Sequence, residues 1–313
     1  MSEKNKALLE KLRPVIGLLI FSAIIAFINP RFISSSNLLN VLRQTSINAI
    51  IAAGMTFVIL TGGIDLSVGS ILAFSSAVGA YMLSSGYGMV VSVTAALLIG
   101  AVSGLVNAII ITKGRVQPFI ATLATMTLLR GATLVFTDGR PISVAGSEFL
   151  SGFRYIGAGS VGPIPVPVII MIIVFVICWH ILNNTRFGRH LYALGGNEEA
   201  ALLSGLSTTK IKSSAYIING VLSALAGIIL TARLISAQPT AGSGYELDAI
   251  AAVVLGGTSL SGGQGTVIGT IIGALIIGIL NNALNLLDVS AYYQMIAKAI
   301  VILIAVLLDR KQK

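Results

Sequence analysis

The feature that most constrains this chain is a succession of apolar runs that are long enough to cross a lipid bilayer as helices. Only 10% of its 313 residues are charged and 55% are hydrophobic, whereas about a quarter of the residues of soluble domains are charged. A helix needs about 20 predominantly apolar residues to span hydrocarbon. The sequence therefore predicts an all-α polytopic membrane protein with about ten transmembrane helices. We expect these helices near residues 14–29, 44–61, 66–84, 88–112, 117–137, 164–182, 214–235, 247–258, 266–287 and 291–308.

The positive charges of the chain predict its orientation in the membrane. A formal net charge of +9 would suggest nucleic-acid binding in a soluble protein, but here the lysines and arginines cluster between the apolar runs. Cytoplasmic loops carry an excess of Lys and Arg, and most basic residues fall on one side if both termini are cytoplasmic. Residues 137–163 then form an external segment, and residues 183–213 form the largest cytoplasmic segment. We treat residues 1–313 as one transmembrane domain in the lipid bilayer, with no nucleic-acid partner.

Two related stretches rich in glycine interrupt the apolar pattern. Residues 62–69 and residues 256–263 both read Gly-Gly-x-x-Leu-Ser-x-Gly. Non-helical backbone at membrane depth is tolerated only inside protein or beside water, and helices broken at corresponding places in two halves indicate a transporter's midplane site. The stretches therefore predict an internal two-half repeat and a translocation site. The candidate residues of this site are Thr61, Gly62, Gly63, Asp65, Ser67, Gly256, Gly257, Thr258, Ser259 and Ser261.

Two questions about these stretches stay open at the level of sequence. The span count makes the repeat parallel, but the repeat becomes inverted if one copy is a re-entrant segment. Asp65 carries the only charge between Arg43 and Lys113, and a carboxylate within the membrane is a functional candidate by default. It could bind substrate hydroxyls or a coupling proton, which would make the protein an ion-coupled secondary transporter. It could instead cap the helix that follows.

The segment 183–213 contains a short pattern that is typical of a docking surface. Glu199-Ala200-Ala201-x-x-x-Gly205 predicts a short surface helix with small and apolar residues on one face, ended by a glycine. An exposed apolar face of this kind suits the groove of a protein partner. The sequence contains no phosphate-binding Gly-x-x-x-x-Gly-Lys-Ser/Thr loop, and neither His180 nor His190 belongs to a metal-ligand pattern. A membrane-embedded enzyme is therefore a remote alternative.

Several stretches of the chain resemble the integral-membrane permease subunits of bacterial ABC sugar importers. One of them is Tyr192-Ala193-Leu194-Gly195-Gly196-Asn197-Glu198, which leads into the docking pattern. The resembling stretches extend almost from end to end of the chain: residues 44–50, 58–70, 113–117, 192–198, 236–242, 244–258 and 292–295.

This resemblance implies that the chain translocates ribose or a related monosaccharide across the bacterial inner membrane. Two copies would form the channel, and an extracytoplasmic sugar-binding protein would deliver the sugar. A separate cytoplasmic ATPase would bind ATP and Mg, so that this chain holds no cofactor or metal and is not itself an enzyme. The residues that match the family's ATPase-docking loop are Asn197, Glu198, Glu199, Ala200, Ala201 and Gly205. Because the chain has one tryptophan and few aromatic residues, we expect only weak sugar binding within the channel.

Overall fold

The computed structural model describes the backbone of residues 3–310 and the side chains of residues 15–301 and 303. Within that part, long helices alternate with short ones, and a 3-10 turn at Pro30–Ile33 follows the first helix. The helices are α1 (Glu3–Ile28), α2 (Ser35–Leu60), α3 (Val68–Ser84), α4 (Met89–Thr112), α5 (Pro118–Thr137), α6 (Leu150–Ala158), α7 (Val166–Asn184), α8 (Arg186–Gly196), α9 (Glu198–Leu203), α10 (Thr208–Leu234), α11 (Tyr245–Leu255), α12 (Val267–Leu286) and α13 (Ala291–Arg310). The strands are β1 (Ile142–Ser143), β2 (Ser160–Val161), β3 (Ile164–Pro165) and β4 (Ser236–Ala237).

The helix lengths confirm the predicted class of an all-α polytopic membrane protein. Among the described residues, six helices are long and apolar enough to cross a membrane, namely α2, α4, α5, α7, α10 and α12. Residues 15–28 of α1 and the whole of α3 are apolar but shorter. The number of crossings, predicted as about ten, stays a prediction, as does the two-half repeat.

The observed helix boundaries differ most from the predicted ones where a helix begins or ends with polar residues. Helix α2 begins at Ser35 rather than near residue 44, because the side chain of Ser34 accepts a hydrogen bond from the backbone N–H of Asn37 and caps a polar first turn. Helix α11 is only 11 residues long, which corresponds to a rise of about 16 Å. It cannot cross a bilayer alone, so the span predicted near residues 247–258 is a short helix between two non-helical segments.

Helices α2 and α10 form the centre of the bundle. The α2 segment from Ala49 to Leu60 is completely buried, and α10 packs against α2, α3, α4 and α6. Close approach of α4 and α10 depends on glycine, because a Cβ at Gly104 would overlap the backbone of Tyr216. Small residues at helix contacts allow this kind of backbone packing in membrane proteins.

The bundle has two distinct ends. One end, which we call the glycine end, contains the last turn of α2, the helices α8 and α9, and the first turn of α12. Here the hydroxyl of Tyr192 in α8 donates a 2.8 Å hydrogen bond to the carbonyl of Gly265, just before α12. At the end that we call the strand end, β1 pairs antiparallel with β4, with Ile142 opposite Ala237. Helix α10 runs from the first end to the second, so residues 183–213 and the strands of 137–163 lie at opposite ends.

Candidate functional site

The first glycine stretch is a non-helical connection between α2 and α3 that lies inside the protein. Gly62 has a positive φ of 77°, and the backbone N–H groups of Gly62 and Gly63 return to the carbonyls of Ile59 and Val58 at 2.8 and 3.2 Å. Such bonds satisfy the last carbonyls of a helix that ends in a left-handed residue. The N–H of Leu66 donates to Thr122 Oγ1 of α5 at 3.1 Å. The break is therefore satisfied by protein groups, as backbone at membrane depth must be.

Asp65 is the centre of a buried hydrogen-bond network. Its side chain is 0% exposed, and its Oδ1 accepts from the backbone N–H of Ser67 at 2.9 Å and from Ser67 Oγ at 2.6 Å. Its Oδ2 accepts from Asn219 Nδ2 of α10 at 2.9 Å. Asn107 of α4 donates to Ser67 Oγ at 2.8 Å and lies 3.5 Å from Asp65 Oδ1. The carboxylate thus holds the first turn of α3 and connects it to α4 and α10.

This geometry favours the capping interpretation of Asp65. The two ion pairs within the described residues, Lys212–Glu198 and Lys298–Asp248, lie elsewhere. A proton carrier would need access to water. Asp65 instead has protein donors on both oxygens and no exposed surface, so its position fits a structural role at the helix break.

The second glycine stretch meets the first at the glycine end. It follows α11, has positive φ angles at Gly257, Gly262 and Gly263, and binds the end of α2 through the N–H of Gly263, which donates to the carbonyl of Leu60 at 3.0 Å. In the shared pattern, Ser259 of the second stretch occupies the position that Asp65 occupies in the first. Thr258 is fully buried, and within the described residues its Oγ1 has no hydrogen-bond partner. The two stretches are therefore neighbours in space but are held in different ways.

A third glycine pair, at the end of α8, lies between the two stretches. A Cβ on Gly195 would overlap the carbonyl of Leu60 and the N–H of Gly263, and a Cβ on Gly262 would lie 2.8 Å from the N–H of Gly62. We call this set of backbone contacts the glycine junction; it consists of Gly62, Gly195, Gly196, Gly262 and Gly263. Of these residues, only Gly62 was among the sequence-predicted site residues. The others were signalled in the sequence by further Gly-Gly pairs.

The predicted docking segment forms the short helix α9 next to this junction. The side chain of Asn197 caps it by accepting from the N–H of Ala200 at 2.9 Å, and Gly205 ends it with a φ of 83°. Ala201 is buried and anchors α9 to the bundle, whereas Leu202 and Leu203 are 60% and 88% exposed. Sequence reasoning did not single out these two leucines, although their place after Ala200-Ala201 indicates an apolar face.

Polar contacts hold the start of α9 and the helix α8 that precedes it. Glu198 pairs with Lys212 of α10 at 2.6 Å, and Glu199 is exposed. Helix α8 is attached to the second stretch by the hydroxyl of Tyr192, and burial raises the pKa of that hydroxyl, which keeps it a hydrogen-bond donor. The α8–α9 unit therefore presents an exposed apolar face on one side and contacts both glycine stretches on the other.

A further non-helical segment, residues 238–244, precedes α11. Arg130 of α5 satisfies its carbonyls, with Nη1 donating to Ala241 O at 2.7 Å and lying 3.5 Å from Pro239 O. Gly242, with a φ of 70°, packs against Gly69 in the first turn of α3. Helix α5 thus stabilises two non-helical segments, the first glycine stretch through Thr122 and residues 238–244 through Arg130. This role of α5 was not evident from the sequence.

Comparisons with known proteins match nearly the whole chain. A family model described as the permease component of branched-chain amino acid transport systems matches residues 37–306. The ribose import permease protein RbsC of Haemophilus influenzae is 61% identical over 297 residues, which cover 95% of this chain and 92% of that protein. The ribose import permease protein RbsC of Bacillus subtilis is 60% identical over 304 residues, which cover 97% and 94%. The L-arabinose transport system permease protein AraH of Escherichia coli is 36% identical over 300 residues, which cover 96% and 90%. No solved structure matches the chain.

Proposed function

This chain belongs to the family of permease components of branched-chain amino acid transport systems, and on that premise we propose that it is the membrane-spanning subunit of an ABC importer that carries ribose into the bacterial cytoplasm. The observation that carries the choice of ribose is the identity of 61% and 60%, over nearly the full length, to two proteins named as ribose import permeases. A relative named for L-arabinose is only 36% identical over a similar length.

We propose that the glycine end faces the cytoplasm and that α8 and α9 receive the movement of an ATPase. The exposed Leu202 and Leu203 on α9 suit an apolar groove on that partner. At the glycine junction, no side chain separates α8 from the two stretches, so displacement of α8 is passed directly to the end of α2 and to the second stretch. Rigid-body rocking of helices about broken segments is a general scheme for alternating access.

The remaining parts of the importer follow from the same scheme. We propose about ten crossings with both termini cytoplasmic, an internal two-half repeat, and a homodimer that forms the complete channel. A sugar-binding protein docks at the strand end, which faces outward, and ATP and magnesium bind to the ATPase rather than to this chain. The buried, fully hydrogen-bonded position of Asp65 supports a structural rather than a proton-carrying role and does not favour the alternative of an ion-coupled transporter.

Uptake of labelled ribose into proteoliposomes tests this function. The permease is reconstituted with its ATPase and sugar-binding subunits, and we expect uptake that requires ATP and both partners, with ribose preferred over L-arabinose and D-allose. Uptake by the permease alone under an imposed pH gradient would contradict the proposal. Preference for another of these sugars would retain the importer and replace its substrate.

The docking role of α9 is tested by Glu199→Lys. Reversal of this exposed charge in the first turn of the helix opposes the helix dipole and changes the surface offered to the ATPase. We expect the variant to insert normally but to lose co-purification of the ATPase together with ribose uptake. The matched control is Glu148→Lys, the same reversal at an exposed residue of the strand end, which should retain the ATPase. Equal ATPase retention in both variants would remove the assignment.

A further inference from the structure

A polar cavity lies within the bundle on the strand-end side of α11. It has a volume of about 240 Å³ and is enclosed by α2, α11, α12 and α13, with Arg233 contributed by the end of α10. It extends along α12 from Asn285 to Ala274, a distance of about 16 Å. None of the sequence-predicted site residues lines it.

The cavity contains an ion pair between two of its helices, α11 and α13. Asp248 Oδ2 accepts from Lys298 Nζ of α13 at 3.0 Å and from Asn48 Nδ2 of α2 at 3.2 Å, and the Asp248 side chain is 5% exposed. Asn48 lies halfway along α2, and Asp248 lies in the first turn of α11. Charged groups inside a membrane protein face cavities or pathways and are functional candidates by default. A water-filled or ligand-filled space here would stabilise both charges.

The walls of the cavity also offer unused hydrogen-bonding groups. Oδ1 of Asn48 and Oδ1 of Asn281 accept no hydrogen bond from any described residue. A buried acceptor without a donor costs free energy of about 1–3 kcal/mol. Both asparagines line the cavity, and hydroxyl groups of a ligand held there are suitable donors to them.

The floor of the cavity separates it from the glycine end. Ala252 lines the cavity, and its carbonyl packs against Gly273 of α12; one turn further along α11, Gly256 packs against Gly269. These backbone contacts leave no room for a ligand to continue between α11 and α12. The cavity is therefore closed towards the glycine junction, where the proposed ATPase-driven movement arrives.

The size and chemistry of the lining indicate the kind of ligand. Sites for drug-sized ligands occupy roughly 300–1,000 Å³, so this cavity suits one smaller molecule. Amides from Asn48, Asn281 and Gln294 provide donors and acceptors together, and the ring of Tyr245 provides an apolar face. This combination matches a neutral molecule that carries several hydroxyl groups and a C–H face.

We propose that this cavity is an intermediate binding site for a neutral monosaccharide on its way through the permease. Asn48, Asn281 and the Asp248–Lys298 pair bind the sugar hydroxyls, and the α11–α12 contact below them closes the site towards the glycine end. The proposal rests on the import function and specifies which residues of each protomer bind the sugar beside the channel that the two copies form. The site binds weakly, since a transported sugar must also leave.

A cysteine-protection experiment tests occupancy of the site directly. The native Cys178 is 3% exposed and gives a low background, so Asn285→Cys places a single reactive thiol where the cavity meets α13. In the assembled importer in proteoliposomes without nucleotide, we expect saturating ribose to slow alkylation of this cysteine. Adding Asn281→Leu removes one acceptor and should raise the ribose concentration for half-protection by roughly tenfold.

The neighbouring Asn282 supplies the matched control. Its amide exchanges hydrogen bonds of 3.0 and 2.9 Å with Asn37 of α2, and it does not line the cavity. Asn282→Leu should lower the thermal unfolding midpoint and leave protection by ribose unchanged. Asn281→Leu should do the reverse, because its Oδ1 has no partner to lose. If the two variants have the same effect on protection, the assignment of Asn281 is wrong.

Measuring protection and uptake in the same preparation distinguishes failure of this inference from failure of the proposed function. ATP-dependent ribose uptake without protection by any sugar would overturn the site and leave the importer intact. Protection by ribose in a complex that fails to transport would support the site alone. Stronger protection by ribose 5-phosphate than by ribose would overturn the neutral ligand, since Arg233 and Lys298 would then be binding an anion.

Discussion

The two glycine stretches share one sequence pattern but are held by different kinds of interaction. The first is locked within the bundle by side chains from three helices, through Asp65, Asn107, Asn219 and Thr122. The second is held mainly by backbone, through the bonds from Gly263 N–H to Leu60 O and from Ser259 N–H to Gln264 O. Several of its glycines have positive φ angles, and the stretch lies at the end of the bundle.

This difference predicts that the two stretches differ in rigidity. Hydrogen bonds with buried side chains on three helices restrain the first stretch, so we expect it to be the more rigid of the two. Backbone held by glycine conformations and a few bonds rearranges at lower cost, so we expect the second stretch to move more readily when α8 is displaced. Repetition of a sequence pattern therefore does not imply repetition of its role.

The largest effect is expected at the junction that couples the two stretches. Gly195→Ala places a Cβ against the carbonyl of Leu60 and the N–H of Gly263 at once, and such overpacking costs about 1–3 kcal/mol. We expect normal membrane insertion but a loss of ATP-driven ribose uptake of about tenfold or more. In the control Gly196→Ala, no described atom lies within 4 Å of the added Cβ, so uptake should persist. Normal uptake by Gly195→Ala would show that α8 does not need this contact.

The contrast also shows what the sequence alone could and could not establish. The apolar runs and the glycine pairs identify the class, the broken helices and the position of Asp65. The partners of Asp65 could not be predicted, because Asn107 and Asn219 lie 42 and 154 residues away and each reads as an isolated amide in an apolar run. Their tendency to bond across helices was the available signal.

The polar cavity lies still further beyond sequence reasoning. Its lining comes from five helices, and no two of its charged residues are close enough in the chain to form a pattern. Lys298 and Arg233 lie in or near apolar runs, where the sequence indicates either a side chain that reaches towards the interface or a pairing between helices, without naming the partner. Only the packing of α13 against α11 brings Lys298 to Asp248.

A medium effect is expected from removing the carboxylate that distinguishes the first stretch. Asp65→Ala leaves the N–H of Ser67 and the amide of Asn219 without their buried acceptor, and should lower the free energy of unfolding by at least about 2 kcal/mol. Ser259→Ala, at the equivalent position, removes only a 3.3 Å contact with the N–H of Ser261 and should cost a few tenths of a kcal/mol. Thermal unfolding in detergent measures both. Equal costs would mean that the two stretches are held alike.

Asp65→Asn tests whether the charge of Asp65 is needed, because it removes the charge and keeps a side chain of the same size. The asparagine keeps an oxygen for Ser67, and its new amide group can donate to Asn219 if that residue rotates its amide, because Asn219 Oδ1 has no partner among the described residues. We expect this variant to be close to the native protein in stability and to retain ATP-driven uptake. Loss of uptake with unchanged stability would reinstate a proton-carrying role for Asp65.

The smallest effects are expected from a pair of buried threonines, one at each stretch. Thr122→Val removes the acceptor of the Leu66 N–H and should lower the free energy of unfolding by about 1 kcal/mol. Thr258→Val replaces a buried hydroxyl that has no partner among the described residues with a methyl group of similar size. It should be neutral or slightly stabilising, because removal of an unpaired polar group relieves its desolvation cost. Thermal unfolding midpoints of both variants give the comparison, and a larger loss for Thr258→Val would show that side chains also hold the second stretch.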